Sequence, residues 1–234
     1  KPRRPEPRHR ERLHPKVGEV RECRATCVTT VDKHRLRFVS RLRKELFHFN
    51  LRFCQPRLVS AVKDLQHILE GAARPKHFRG VATVVLKLFN MVRPHSAIFG
   101  KKDYQQCLVL NNMVRQLALP IEIILAETVR AQDGLALSSR NSYLTPEERK
   151  EAPRLYAMLC KARDELSAGA HDYQRVELDV MADLAHHGWK PDYIAVRRQA
   201  DLLPPENGEG KLVVLAAARL GRTRLIDNIE VERE

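Results

Sequence analysis

The chain has 234 residues, with 42 Lys and Arg against 29 Asp and Glu, a formal charge of +13. At roughly 100 to 200 residues per domain this is one large domain or two small ones, and the apolar share fits a globular chain rather than a fibrous or disordered one. No run approaches the ~18 apolar residues of a membrane span, and the charged start, Lys1 to Glu22, lacks the apolar core of a signal peptide. Five cysteines (23, 27, 54, 107 and 160), an odd number without regular spacing, favour a reducing compartment, so the chain reads as cytoplasmic.

The charge is unevenly placed. Residues 1–58 hold 17 Lys and Arg against 6 Asp and Glu (+11), and residues 59–234 hold 25 against 23 (+2). The first 35 residues repeat Pro and Arg with little to bury, so they read as a disordered basic segment, or as DNA translated out of frame. Such a segment would attract polyanions at low salt, but no interleaved aromatics or recognition helix accompany it, which argues against specific nucleic-acid binding. Cys23 and Cys27 with His14 and His34 lack a second tight pair, so two ordinary thiols are favoured over zinc and no metal ligands are assigned. Leu36, Phe38 and Val39, then Leu42, Leu46 and Phe47, suggest a short strand and a helical turn.

From residue 59 the pattern is regular. Val81, Val84, Val85, Leu88, Phe89 and Val92 recur at helical spacing until Pro94. Ala97 to Phe99, ended by Gly100, reads as a buried strand. Asp103 to Leu119 reads as a helix with Asp103 as N-cap, and Ile121 to Ala126 as a second strand. This alternation predicts parallel strands joined by crossovers, with ligands at the carboxyl ends of the strands. Two loops fall there, Gly100 to Gln106 and Asp133 to Asn141, and their small residues, hydroxyls, Lys102 and Arg140 suit a phosphate.

Thr145-Pro146-Glu147-Glu148 predicts a capping box opening a helix that carries Leu155, Met158, Leu159, Ala162 and Leu166 and ends at Gly169. A helix from Asp172 to His186 follows, with His186 and His187 as a solvated end and Trp189 as a core anchor. Strands are expected at 193–196, 212–217 and 223–226, the last two joined by a Gly221-Arg222 hairpin turn. Helices followed by strands predict a small α+β domain.

From about Val59 to Val231 the chain resembles the pantothenate synthetase (pantoate:beta-alanine ligase) family. The likeness rests on Leu69-Glu70-Gly71-Ala72-Ala73-Arg74-Pro75, His77-Phe78-Arg79-Gly80-Val81, Lys102-Asp103-Tyr104-Gln105-Gln106, Asp133 to Asn141, and Leu225-Ile226-Asp227-Asn228. It implies an α/β fold: a Rossmann-like nucleotidyltransferase domain, here over residues 36–140 and apparently without its first strands, then an α+β domain over 141–234, usually in a homodimer. The implied reaction joins pantoate to beta-alanine through pantoyl adenylate, using ATP with Mg2+.

Carried over by position, the resemblance assigns Lys102, Ser138, Ser139 and Arg140 to catalysis. With Gly100, Asp103, Val129 and Leu137 these also form the ATP site, while Gln106, Arg74 and His77 lie at pantoate. The family's Pro-Thr-Met-Gly and His-x-Gly-His motifs occur nowhere in this chain. A sheet without its first strand would expose neighbouring edges, so weak stability or aggregation is expected. Lys101 stands where the family usually has Glu and Lys76 where it usually has Gly, and both are expected to add charge near the phosphates. A noncatalytic nucleotide-binding or dimerisation remnant is the alternative reading.

Overall fold

The computed structural model describes residues 65–206 and 208–233. The proposed thiols Cys23 and Cys27, the basic segment, and the elements expected between Leu36 and Phe47 lie outside them.

Helix α1 (Leu69–Ala73) is a single turn. A Cβ on its Gly71 would lie 2.6 Å from backbone atoms of Leu65 and Gln66, so only glycine permits this approach. Helix α2 (His77–Val92) follows and ends at Arg93, just before Pro94. Its Phe78, Ala82 and Phe89 are buried, whereas Val84, Leu88 and Val92 of the expected apolar stripe are exposed.

Strand β1 (Ser96–Gly100) leads through a 3-10 turn (Lys101–Asp103) into α3 (Tyr104–Gln116) and then β2 (Glu122–Ala126). The strands are parallel, with Ser96 opposite Glu122 and Gly100 opposite Ala126. The expected helix, strand, helix, strand order is therefore present, but β1 is not the buried strand its apolar run suggested. Ile98 is 69% exposed, and Ile124 and Leu125 are about two-fifths exposed. Among the described residues β1 and β2 pair only with each other, and α3 covers one face of the pair through the core it shares with Ala97, Phe99 and Ile123.

A second 3-10 turn (Ser139–Tyr143) precedes α4 (Pro146–Glu151), α5 (Arg154–Ser167) and α6 (Tyr173–His186). Thr145 forms the expected capping box with Glu148. The single helix expected from there is two, because Pro153 has no N–H to continue the ladder. Trp189 is buried, as expected, and its indole donates to Glu151.

Strands β3 (Trp189–Arg198), β4 (Lys211–Leu220) and β5 (Thr223–Glu232) form an antiparallel sheet with β4 central. Leu220 pairs with Thr223 across the two-residue turn Gly221-Arg222, and Gly221 takes a positive φ of 55°, as the hairpin predicts. Alternation along β4 divides two cores. Leu212, Val214, Ala216, Ala218 and Leu220 pack with α5 and α6, while Val213 and Leu215 pack with Phe78, Leu110 and Met113.

Candidate functional site

A shallow cleft opens where the 3-10 turn 101–103, the start of α2 and strands β3 to β5 meet. Its wall brings together Arg74, His77, Lys102, Asp103 and Gln106, five of the residues singled out from sequence. Residues more than thirty positions apart converge here because β1 delivers the turn at its carboxyl end, where strand-end ligand sites form.

The carboxylates lining the cleft are largely engaged. Glu70 accepts two hydrogen bonds from Arg224, at 2.6 and 3.0 Å, and one from Tyr193 Oη at 3.1 Å. Burial alone would lower the Arg224 guanidinium, but hydrogen bonds to Glu70 and Asp192 more than reverse this and hold it above its ordinary range. Asp227, 4% exposed, takes a two-pronged bond from Arg130 at 2.5 and 2.9 Å. The Arg130 guanidinium also lies 3.5 Å from the centre of the Tyr156 ring.

The cations facing the cleft are in the opposite condition. Among the described residues, no ion pair engages Arg74, Lys102 or Arg140. His77 lines the same cleft as Arg74 and Lys102 and is held below its ordinary imidazole value first by burial and then by Arg74, with Arg140 acting in the same direction and Glu70 and Asp103 opposing. Arg140, although outside the cleft wall, is therefore close enough to act on it electrostatically. The walls supply unpaired positive charge, which calls for an anion.

The second loop is a small β-turn structure. Arg130 bridges to Ala136 as an isolated antiparallel pair, and Leu137 N donates to Val129 O at 2.9 Å. Gly134 turns it with φ of 92°. This places Val129 and Leu137 side by side, 68% and 53% exposed, two apolar side chains offered to solvent next to the cationic turn. Ser138 caps the turn by accepting from Arg140 N, and Ser139 begins it. Asn141 Nδ2 donates to Ala136 O, while its buried Oδ1 has no partner. Gly100, Val129, Leu137, Ser138 and Ser139 do not line the cleft.

Lys101 does not add free charge. Its ammonium bonds Glu127 at 2.6 Å and Glu230 at 2.7 Å, and these carboxylates, Glu127 first, hold it above its ordinary value. Lys76 has φ of 69°, a left-handed backbone that favours glycine, at the position before α2. Asp103 occupies the N-cap position of α3, but its side chain makes no capping hydrogen bond.

Sequence reasoning passed over several supporting residues. Buried Gln105 donates to Leu65 O and Ile68 O and accepts from Glu70 N, fixing the α1 turn against α3. Asp227 and Asn228 were visible only as part of a motif. The available signal was an acid-amide pair inside an otherwise apolar strand, which burial forces to find partners.

Comparisons with known proteins agree with this architecture. A family model described as pantoate-beta-alanine ligase matches residues 28–230, reaching back beyond the described residues. The pantothenate synthetase of Nitrosospira multiformis is 54% identical over 167 residues, 71% of this chain and 60% of that protein. Pantothenate synthetase from Thermus thermophilus superposes with a TM-score of 0.68 at 44% identity, over 72% of this chain and 61% of that one. Pantoate-beta-alanine ligase from Francisella tularensis, solved in complex with beta-gamma ATP and beta-alanine, gives a TM-score of 0.55 at 32% identity, over 70% and 54%. The chain thus spans about 60% of the length of the curated relative it matches.

Proposed function

Because the chain belongs to the pantoate-beta-alanine ligase family, we propose that its cleft serves the ATP-dependent condensation of pantoate with beta-alanine. The observation that carries this reading is the set of unpaired cations, Lys102, Arg74 and Arg140, around a cleft whose buried carboxylates, Glu70 and Asp227, are neutralised by other arginines.

In the first step a carboxylate oxygen of pantoate attacks the α-phosphorus of ATP and pyrophosphate leaves. In the second, the amine of beta-alanine attacks the acyl carbon, AMP leaves, and the amine loses a proton as the amide forms. Lys102 and Arg140 stabilise the charge building on the phosphates, with Ser138 and Ser139 donating hydroxyls. Asp103 holds the ribose, the exposed pair Val129 and Leu137 receives the adenine, and Gly100 belongs to the same ATP site. Gln106, Arg74 and His77 hold pantoate close to the α-phosphate, so that much of the acceleration comes from positioning.

Mg2+ enters on the triphosphate as part of the substrate; among the described residues no group of three or more His, Cys, Asp or Glu is placed to hold a metal. Residues 36–140 act as the partial nucleotide-binding domain and 141–234 as the α+β domain. The family resemblance adds a homodimer, and the five irregularly spaced cysteines favour a cytoplasmic setting. No helix among the described residues is long and apolar enough to cross a membrane.

The test is AMP release from ATP by the full chain. Release that requires both pantoate and beta-alanine is expected; release indifferent to either, or none, contradicts the reading. A second reading, nucleotide binding without turnover, is favoured by the absence of His-x-Gly-His from this chain. It predicts ATP binding with no AMP produced.

A further inference from the structure

The two cationic arms of the cleft lie on separate loops, and one strand touches both. Side chains alternate along β5. Arg224, Ile226, Asn228 and Glu230 face the cleft side, where Arg224 bonds Glu70 and Glu230 bonds Lys101 and Tyr104. Leu225, Ile229 and Val231 face the core formed with α5 and α6.

Asn228, 6% exposed, directs both N–H bonds of its amide to the turn that carries Lys102. Its Nδ2 donates to Lys101 O at 2.9 Å and to Lys102 O at 3.0 Å. Its neighbour Asp227 grips Arg130, which in turn donates to Gly134 O at 3.2 Å, inside the hairpin that leads to Ser138 and Arg140. Asp227 Oδ1 also accepts from Asn228 N at 2.8 Å, so the two grips share one short piece of backbone.

We propose that Asp227 and Asn228 are positioning residues that set the spacing between the Lys102 turn and the Ser138–Arg140 turn, so that both arms meet a single triphosphate. This rests on the functional reading above. Neither residue needs to touch the nucleotide. Each acts through backbone carbonyls or through Arg130, and consecutive positions on a strand point to opposite faces, which allows one dipeptide to hold two loops.

Asn228→Asp keeps the shape of the side chain and removes both donors, placing a carboxylate oxygen against two carbonyls and releasing the turn. ATP affinity is to be measured by titration for the full chain, Lys102→Ala, Asn228→Asp and the double variant, with melting temperature recorded for each. Lys102→Ala is expected to weaken binding roughly tenfold, the scale of a hydrogen bond to a charged group. Asn228→Asp should weaken it by a similar factor in the parent but by less than about twofold beside Lys102→Ala, because the misplaced group is already gone. Losses that multiply would show that Asn228 merely supports the fold, and would overturn the role.

Asp227→Asn paired with Arg140→Ala should be non-additive in the same way. If Asn228→Asp does not fold, Asn228→Ser, which retains one donor, provides the same comparison. A parent chain that does not bind ATP at all would remove the functional reading and this role with it. Binding by the parent with multiplicative losses would remove this role alone.

Discussion

His77 is the residue at which charge, burial and ligand meet. Its imidazole titrates below the ordinary value of 6.5 in the folded chain, through burial first and Arg74 second. Between the two values the unfolded chain holds more protons than the folded one, so stability from this group rises with pH, is fully present above about 6.5 and falls as pH drops through the window beneath it. A bound triphosphate would reverse the local charge and raise the imidazole's affinity for protons. ATP binding at pH 6 should therefore take up a proton that binding at pH 8 does not, and His77→Gln should abolish the uptake. Titration calorimetry in buffers of different ionisation enthalpy measures this; equal proton counts at both pH values would place the anion elsewhere.

At the scale of elements, the salt bridge between Glu70 and Arg224 joins α1 to β5 with both side chains nearly buried, at 12% and 14% exposure. Arg224→Ala would leave the Glu70 carboxylate buried against Tyr193 without its counter-charge, at a cost of about 3 to 5 kcal/mol. Denaturant unfolding checks this, and a loss below about 1 kcal/mol would mean that water reaches Glu70. The elements themselves were largely legible. Period and caps marked α2, α3, the Thr145 capping box, α6 and the Gly221 hairpin. The break at Pro153 and the exposure of Ile98 were not, because helical period continues across the proline and a short apolar run does not say how many neighbours its strand has. Cleft-lining residues with free charge, Lys102 and Arg74, were readable as candidates from motif and strand-end placement. Gln105, Arg130 and Asn228 were not, since their roles are hydrogen bonds to residues 35 to 127 positions away.

Across the whole molecule, the two cores meet at β4, so the sheet that completes the cleft is held from both sides. Apolar side chains left in the open, Ile98, Ile124 and Leu125 on the parallel pair and Val84, Leu88 and Val92 on α2, contrast with that. Of the net charge of +13, residues 59–234 carry only +2, and among the described residues arginines pair with the cleft's buried acids, Lys101 is engaged by Glu127 and Glu230, and a few cations stay open to the ligand. Under the proposed function these free cations form an adenylation site. Pantoate-dependent exchange of labelled pyrophosphate into ATP isolates that half-reaction from amide formation. The full chain should exchange label only when pantoate is present, and Lys102→Ala should slow exchange about 100- to 1000-fold, the usual effect of removing one transition-state charge partner. ATP binding with no pantoate-dependent exchange, or exchange unchanged in Lys102→Ala, would contradict the account.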